Sequence, residues 1–338
     1  MNSFGKIFRI SIFGESHGPS VGITIDGCPA GLPLSIADIE TDIERRKAGI
    51  QKGTSPRKED DIPVFLSGVF NGRTTGSPLT IIFENNNTRS SDYEKQRDIP
   101  RPGHADFVAS KKFGGNEDYR GGGHFSGRLT VCLVAAGVIA KKILALSPNN
   151  NDHAICTATI LEVGGEKDIE VGLQKAIDAK DSIGGMVECR VDGLPIGLGE
   201  PFFNSVESLI SHAVFAIPAI KGIEFGAGFA AAKMKGSEHN DALEDATGKT
   251  MTNHAGGIVG GLTNGNQLVF RVVVKPTSST PKEQQTLNIG SGEIEKFSVK
   301  GRHDLCIALR VPVVLEAVTA FVLVDLLMME QKVKRIID

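Results

Sequence analysis

Apolar positions run or alternate between glycines over residues 8–13 and 21–26, the spacing of two strands. Between them, Gly14-Glu15-Ser16-His17-Gly18 predicts a turn that presents a histidine. After Ser35, a suitable helix N-cap, Ile36, Ile39 and Ile43 recur at near-helical spacing up to Arg45-Arg46-Lys47, cations that suit the negative end of a helix dipole. Residues 48–61 are polar and punctuated by glycine and proline, which predicts a mobile surface loop. A further strand pair is expected over 64–70 and 79–83, joined through Asn71-Gly72. From residue 85 to residue 123 the periodicity disappears around one short helical stretch at 105–113, and so long an irregular segment in a compact chain usually carries function. Residues 129–146 are apolar nearly all round and predict a buried helix.

The second half repeats this style. Strands are expected near 154–163, 187–191, 222–226 and 267–274, helices near 169–179 and 206–216, and a long apolar helix over 311–331. Strand pairs alternate with helices in both halves and no linker interrupts them, so the pattern predicts one large domain over residues 1–338, with room for internal pseudo-symmetry. No sequence identity between the halves is visible.

Composition narrows the picture. Hydrophobic residues make up 40% and charged residues 23%, which excludes a disordered or fibrous chain. The 40 glycines are an excess over the usual share and fall in clusters such as Gly121-Gly122-Gly123, a sign of backbone brought close to a ligand. A net charge of −3 gives no global field to attract nucleic acid or an anionic membrane, so an anion site must be local. Five scattered cysteines without a C-x-x-C pair argue against a disulfide framework or a zinc cluster and for a reducing compartment. Lys6 and Arg9 flank short apolar pieces with no cleavage site after them, so no secretory signal is expected; Glu316 and Asp325 interrupt the last apolar stretch, so no membrane span is expected either.

Four irregular segments each concentrate titratable groups among glycines: 14–18 with His17, 101–106 with Arg101 and His104, 119–128 with Arg120 and Arg128, and 300–304 with Arg302 and Asp304. Each alone also reads as an ordinary turn, cap or surface ion pair; together they read as one site. Converged, Arg46, Arg101, Arg128 and Arg302 would offer planar cations to phosphate or carboxylate, and His17 and His104 would move protons near neutral pH. The glycine-rich backbone ahead of the 129–146 helix adds amide donors at a positive helix end. Lys275-Pro276-Thr277-Ser278-Ser279 supplies an ammonium and hydroxyls of the same kind. Neither nucleotide fingerprint, G-x-x-x-x-G-K-[ST] nor a strand-anchored G-x-G-x-x-G, is present. No metal is expected, because His17, His104 and Asp304 lack ligand spacing, and the nucleophile-elbow pattern around Ser16 is unmet.

At these residues the chain resembles the chorismate synthase family. The motifs run in order from Phe13-Gly14-Glu15-Ser16-His17-Gly18 through Arg101-Pro102-Gly103-His104-Ala105-Asp106 and Asp118-Tyr119-Arg120-Gly121-Gly122-Gly123 to Asn253-His254-Ala255-Gly256-Gly257, Lys275–Ser279 and Lys300-Gly301-Arg302-His303-Asp304. The resemblance implies an α+β fold, a β-α-β sandwich with helices packed between two mainly antiparallel sheets, assembled as a homotetramer in the cytoplasm. It implies a lyase of the shikimate pathway that turns 5-enolpyruvylshikimate 3-phosphate into chorismate and phosphate by 1,4-anti elimination, with reduced FMN and no net redox change. By matching motif positions, Arg46, Lys52, Arg101, Ser126, Arg128 and Arg302 would bind substrate. His17 would protonate reduced flavin near N1, His104 would stabilise or protonate the departing phosphate, Asp304 would assist the proton relay at N5, and Ser16 would be a further catalytic residue. Flavin contacts carry over to His124, Phe125, Ser126, Pro218, Ala219, Gly260, Lys275, Pro276, Thr277, Ser278, Ser279 and Arg302.

Two departures stand out. The usual loop Gly-Gly-Gly-Arg-Ser-Ser-Ala-Arg is here Gly-Gly-Gly-His-Phe-Ser-Gly-Arg, so His124 and Phe125 replace a permanent cation and a hydroxyl, and Lys52 stands where an arginine is common. No additional oxidoreductase domain is read in these 338 residues, so a monofunctional enzyme relying on an external flavin reductant is expected. The competing reading is a non-catalytic polyanion-binding protein on the same fold, which would need the arginines but not both imidazoles.

Overall fold

The computed structural model describes residues 2–47, 52–55, 59–87, 97–146, 153–299 and 303–330. Alternation of apolar and polar positions builds the first sheet from β1 (Ser3–Phe4), β2 (Arg9–Gly14), β3 (Ser20–Asp26), β4 (Val64–Ser67) and β5 (Leu79–Glu84). Its strands are all antiparallel in the order β1-β2-β3-β5-β4. Val21, Ile23 and Ile25 on one face of β3 are fully buried, while Thr24 on the other face pairs with the Thr80 hydroxyl at 3.0 Å. The second sheet comprises β6 (Ile155–Val163), β7 (Gly185–Asp192), β8 (Ile220–Phe225) and β9 (Leu268–Val274), antiparallel in the order β8-β9-β7-β6.

Helices α1 (Ile36–Arg46), α2 (Asp106–Phe113), α3 (Thr130–Leu144), α4 (Ile169–Ala179), α5 (Val206–Val214) and α6 (Val311–Met329) complete the main elements. The N–H and hydroxyl of Ser35 both donate to the Asp38 carboxylate, at 2.7 and 2.8 Å, which closes the start of α1. α3 and α6 are buried nearly all round and pack on each other between the sheets. Their contact passes through Gly137, where a Cβ would stand only 2.1 Å from the Ala317 Cβ. Core residues of both halves, from Phe8 to Leu327, form one cluster. The α+β sandwich expected of the family is thus the observed architecture.

Ile307–Met329 is long and apolar enough to cross a bilayer, yet 89% of its most apolar window is buried inside the protein. Its two acids have internal partners. Glu316 accepts hydrogen bonds from Arg45 and Lys141 at 2.7 Å, and Asp325 accepts the backbone N–H groups of Lys6, Ile7 and Phe8 at 2.7–2.9 Å.

The pseudo-symmetry left open by the sequence is present in the topology. Written by order of appearance, β2-β3-β5-β4 and β6-β7-β9-β8 follow the same path of first, second, fourth and third strand. In each half a helix precedes the third strand, a small hairpin precedes the fourth, and a buried helix follows it: α1, 69–74 and α3 in one, α5, 258–263 and α6 in the other.

Two expectations are corrected and one element is added. The strand predicted over 64–70 stops at Ser67 because Gly68 turns at φ +86°, where a Cβ would lie 2.5 Å from the Leu79 Cα; Asn71-Gly72 therefore closes a short hairpin, Val69–Phe70 with Arg73–Thr74. The described parts of the 48–61 segment are not all surface, since Ser55 and Asp61 are buried. The hairpin Gln284–Leu287 with Ile294–Phe297 went unpredicted, because its strands, QQTL and IEKF, lack a buried apolar face.

Candidate active site

A cleft of about 520 Å³ opens where the N-terminal ends of α3 and α6 meet the C-terminal end of α1. Among the described residues, six permanent cations line it (Arg46, Lys47, Arg101, Arg128, Lys275, Arg310) against three carboxylates, Glu59, Asp61 and Asp304. Arg46, the last residue of α1, donates to the Thr130 hydroxyl (3.0 Å), the Arg128 carbonyl (3.1 Å) and Asp61 (3.3 Å). Arg128 pairs with the other oxygen of Asp61 and donates to Asn85 Oδ1 and the Glu84 carbonyl. All three charged groups are buried, so one carboxylate serves two guanidinium groups. Burial, then repulsion from Arg310, pushes the Arg46 guanidinium down to about 9 in spite of Asp61, with Arg128 adding to the repulsion. It remains a cation at neutral pH, in surroundings that an incoming anion would relieve.

Arg310 closes the ring of cations. It donates to the Arg46 carbonyl (2.9 Å) and to Asp304 (3.1 Å), whose other oxygen accepts the Ser55 N–H at 2.8 Å. On the opposite wall Arg101 donates from Nε and Nη2 to the two oxygens of Asp106 (2.7 and 2.8 Å) and from Nη1 to Ser279 Oγ (3.1 Å). Burial raises the Asp106 carboxyl, but hydrogen bonds and charge from Arg101 and His104 outweigh it and hold the group well below the carboxylate range.

The glycine triplet explains how two imidazoles approach together. Gly121 and Gly122 have φ of +59° and +82°; a Cβ on Gly121 would meet the His17 ring at 2.5 Å, and one on Gly122 would meet the His104 ring at 3.2 Å. The rings of His17 and His104 are therefore packed against adjacent residues of one loop. His104 lines the cleft, whereas His17 lies behind Gly121, 8% exposed. Ser16, fully buried, has a hydroxyl with no hydrogen-bond partner among the described residues. His124 lines the cleft and donates from Nδ1 to the Gly14 carbonyl at 2.8 Å, and Phe125 stands 42% exposed against Phe113.

Lys275, Pro276, Thr277, Ser278 and Ser279 form one wall with Pro218 and Ala219. Both Ser278 Oγ (2.7 Å) and Lys275 Nζ (3.1 Å) donate to the Gly103 carbonyl, tying this strap to the His104 segment. The Thr277 hydroxyl is buried without a partner among the described residues, and Ser126 Oγ accepts the Arg128 N–H at the entry to α3. Two expected residues stand elsewhere. Lys52 donates outward to Gln174 Oε1 (2.8 Å), and Gly260 sits exposed in the Ile258–Thr263 hairpin, off the cleft. Arg302 lies outside the described residues.

Sequence reasoning passed over Asp61, Asp106 and Arg310. Only Arg310 left a signal, an arginine just ahead of a buried helix as Arg128 is ahead of α3. Among the described residues no three His, Cys, Asp or Glu side chains come together as a metal-ion cluster. The arrangement suits a small ligand with several negative charges, held by guanidinium groups and within reach of imidazole protons.

Comparison with known proteins agrees. The family model described as chorismate synthase matches residues 8–328. A chorismate synthase of Chitinophaga pinensis is 71% identical over 336 residues, covering 99% of each chain, and one of Methanocaldococcus jannaschii is 41% identical over 364 residues, covering 97% of this chain and 96% of its own. A crystal structure titled chorismate synthase superposes with a TM-score of 0.73 over 97% of this chain and 93% of its own, at 24% identity, a likeness of fold. The chain belongs to the chorismate synthase family.

Proposed function

We propose that this lyase of aromatic amino-acid biosynthesis converts 5-enolpyruvylshikimate 3-phosphate to chorismate and phosphate with reduced FMN. The observation that carries the reading is the convergence of Arg46, Arg101, Arg128 and Arg310 on one cleft with the rings of His17 and His104 packed against two adjacent glycines. A non-catalytic anion binder has no use for that second feature. The donor set fits a flavin phosphate: the strap of Lys275–Ser279 presents an ammonium, hydroxyls and the unpartnered Thr277 Oγ1, and backbone at the start of α3 adds a positive helix end. Reduced FMN, when bound, supplies transient electron donation that lets phosphate leave C3 and hydrogen leave C6 without net oxidation.

The chain's own residues do the rest. Arg46, Arg101, Arg128 and Arg302, with Ser126, hold the substrate anions, and a dry cleft strengthens those contacts while charge builds on the departing phosphate. Lys52 contributes charge at longer range. Flavin contacts fall to His124, Phe125, Ser126, Pro218, Ala219, Lys275–Ser279 and Arg302. Asp304, oriented by Arg310 and the Ser55 N–H, and Ser16 relay a proton near the flavin. His17 protonates the flavin near N1 and His104 the departing phosphate. A second division of labour has an observation in its favour: Gly103 is bonded to the flavin strap through Ser278 and Lys275, which favours His104 for the flavin and His17 for the phosphate.

We place the enzyme in the cytoplasm as a homotetramer served by an external reductant. Phe202 and Phe203, 85% and 92% exposed, stand beside the Gly260 hairpin on the free surface, and assembly would cover them and bring Gly260 to a neighbouring copy's cleft. The test is an anaerobic assay of the purified chain with photoreduced FMN and substrate. Chorismate and phosphate in equal amounts support the reading; a folded chain that binds substrate but yields neither overturns it.

A further inference from the structure

We propose that Asp106 is a positioning residue that fixes His104 as a proton donor at Nε2; this rests on the proton-transfer reading above and concerns how that ring is set for it. His104 Nδ1 lies 2.5 Å from Asp106 Oδ1 and 3.1 Å from Arg101 Nη2. A guanidinium only donates, so Nδ1 facing Arg101 as an acceptor and Nδ1–H facing Asp106 as a donor exclude each other. The shorter contact, to an ionised carboxylate, decides: Nδ1 carries the proton and Asp106 takes it, while Arg101 Nη2 donates to the same oxygen at 2.8 Å. Lys275, a further charged group nearby, donates to the Gly103 carbonyl one residue before His104.

One consequence is chemical. With Nδ1–H held by Asp106, the opposite nitrogen bears a proton only in the imidazolium form. Donation then breaks the Nε2–H bond, leaves its electron pair on Nε2 and gives the neutral Nδ1–H tautomer, so the Asp106 contact is never rebuilt. A second consequence is that one carboxylate sets both an anion-binding guanidinium and a proton donor, which separates its effects on KM and kcat.

The test uses the full chain labelled with 15N-histidine, and Asp106→Asn. Ring nitrogen shifts and couplings should show neutral His104 protonated on Nδ1 in the parent and on Nε2 in the variant, whose amide can donate to Nδ1. Anaerobic kcat should fall about 10²-fold or more, the range of a general acid, and in a His104→Ala background the same substitution should lower kcat less than about threefold while still raising KM. Asp106→Glu should restore the Nδ1–H tautomer. A parent ring protonated on Nε2, or kcat losses that multiply in the double variant, would overturn the proposal; the first needs no variant to fold. Full turnover by His104→Ala would instead defeat the proton-transfer reading and leave the tautomer result standing.

Discussion

Replacing Gly121 by alanine tests the idea that the glycine loop exists to admit an imidazole. The backbone there is left-handed, at φ +59°, a conformation that costs an L-residue roughly 1–2 kcal/mol. A second cost is steric. The new Cβ would stand 2.5 Å from both Cδ2 and Nε2 of His17 and 3.1 Å from Ser16 Oγ, so the ring must retreat by about 1 Å to reach ordinary contact, a displacement that can cost about 10²-fold in rate. Gly72→Ala separates the two: its φ is +71° with nothing within 4 Å of the added carbon, so it carries strain alone. Thermal unfolding should show a loss in both variants, larger in Gly121→Ala by its steric part, while anaerobic chorismate formation should drop about 10²-fold only in Gly121→Ala. Gly122→Ala, whose Cβ meets His104 at 3.2 Å, should fall between them. Turnover of Gly121→Ala within twofold of the parent would refute the reasoning.

Gly137→Ala drives a methyl into Ala317 at 2.1 Å, so calorimetry should show a loss of about 1–3 kcal/mol or more, and an unchanged melting temperature would mean that the helices separate freely. Glu316 is raised by burial but lowered more by Arg45 and Lys141, so its folded pKa lies below the unfolded value. Its stabilisation is therefore complete above about pH 5 and disappears as pH falls through the folded pKa. The stability gap between the parent and Glu316→Gln, from urea unfolding, should be wide at pH 7 and narrow near pH 3; a gap constant with pH would contradict the linkage. Phe203→Asp, at a 92% exposed position, should reduce the assembly size in light scattering while leaving the far-ultraviolet dichroism unchanged, and an unaltered mass would remove this surface from the proposed tetramer.

What the sequence made legible follows from how local each signal is. Strands such as 20–26 and helices such as 169–179 show in the chain because their period is written in adjacent residues. His17, His104 and Arg128 stood out because they sit among glycines. Asp61 did not, since its partners Arg46 and Arg128 lie 15 and 67 residues away and the residues before it are polar, so nothing local distinguishes a buried counter-ion from a solvated loop residue. Asp106 fell inside the short helical stretch expected over 105–113, and it stands in the first turn of α2; that it also holds Arg101 and His104 depends on the turn at Gly103, φ +70°. Glu316 and Asp325 read as interruptions of an apolar run because their partners, on α1, α3 and the N-terminal strands, come from other parts of the chain.

The repeated strand order also explains why the cleft is where it is. In each half a single turn of tight helix, Gly127–Leu129 or Ile307–Arg310, leads into the buried helix, and each turn carries an arginine that faces the same cleft. Thr130 and Val311, the first residues of α3 and α6, both line it, and the two helices stay in contact seven and six residues further on at Gly137 and Ala317. Two helix N-termini thus converge, each worth about half a positive charge, beside Arg128 and Arg310. Such a field would oppose folding if nothing balanced it. Asp61 between Arg46 and Arg128, and Asp304 on Arg310, supply that balance from within the chain. They leave the cations ordered yet in excess, so the free energy of neutralising the remainder is available to a ligand that brings several negative charges together.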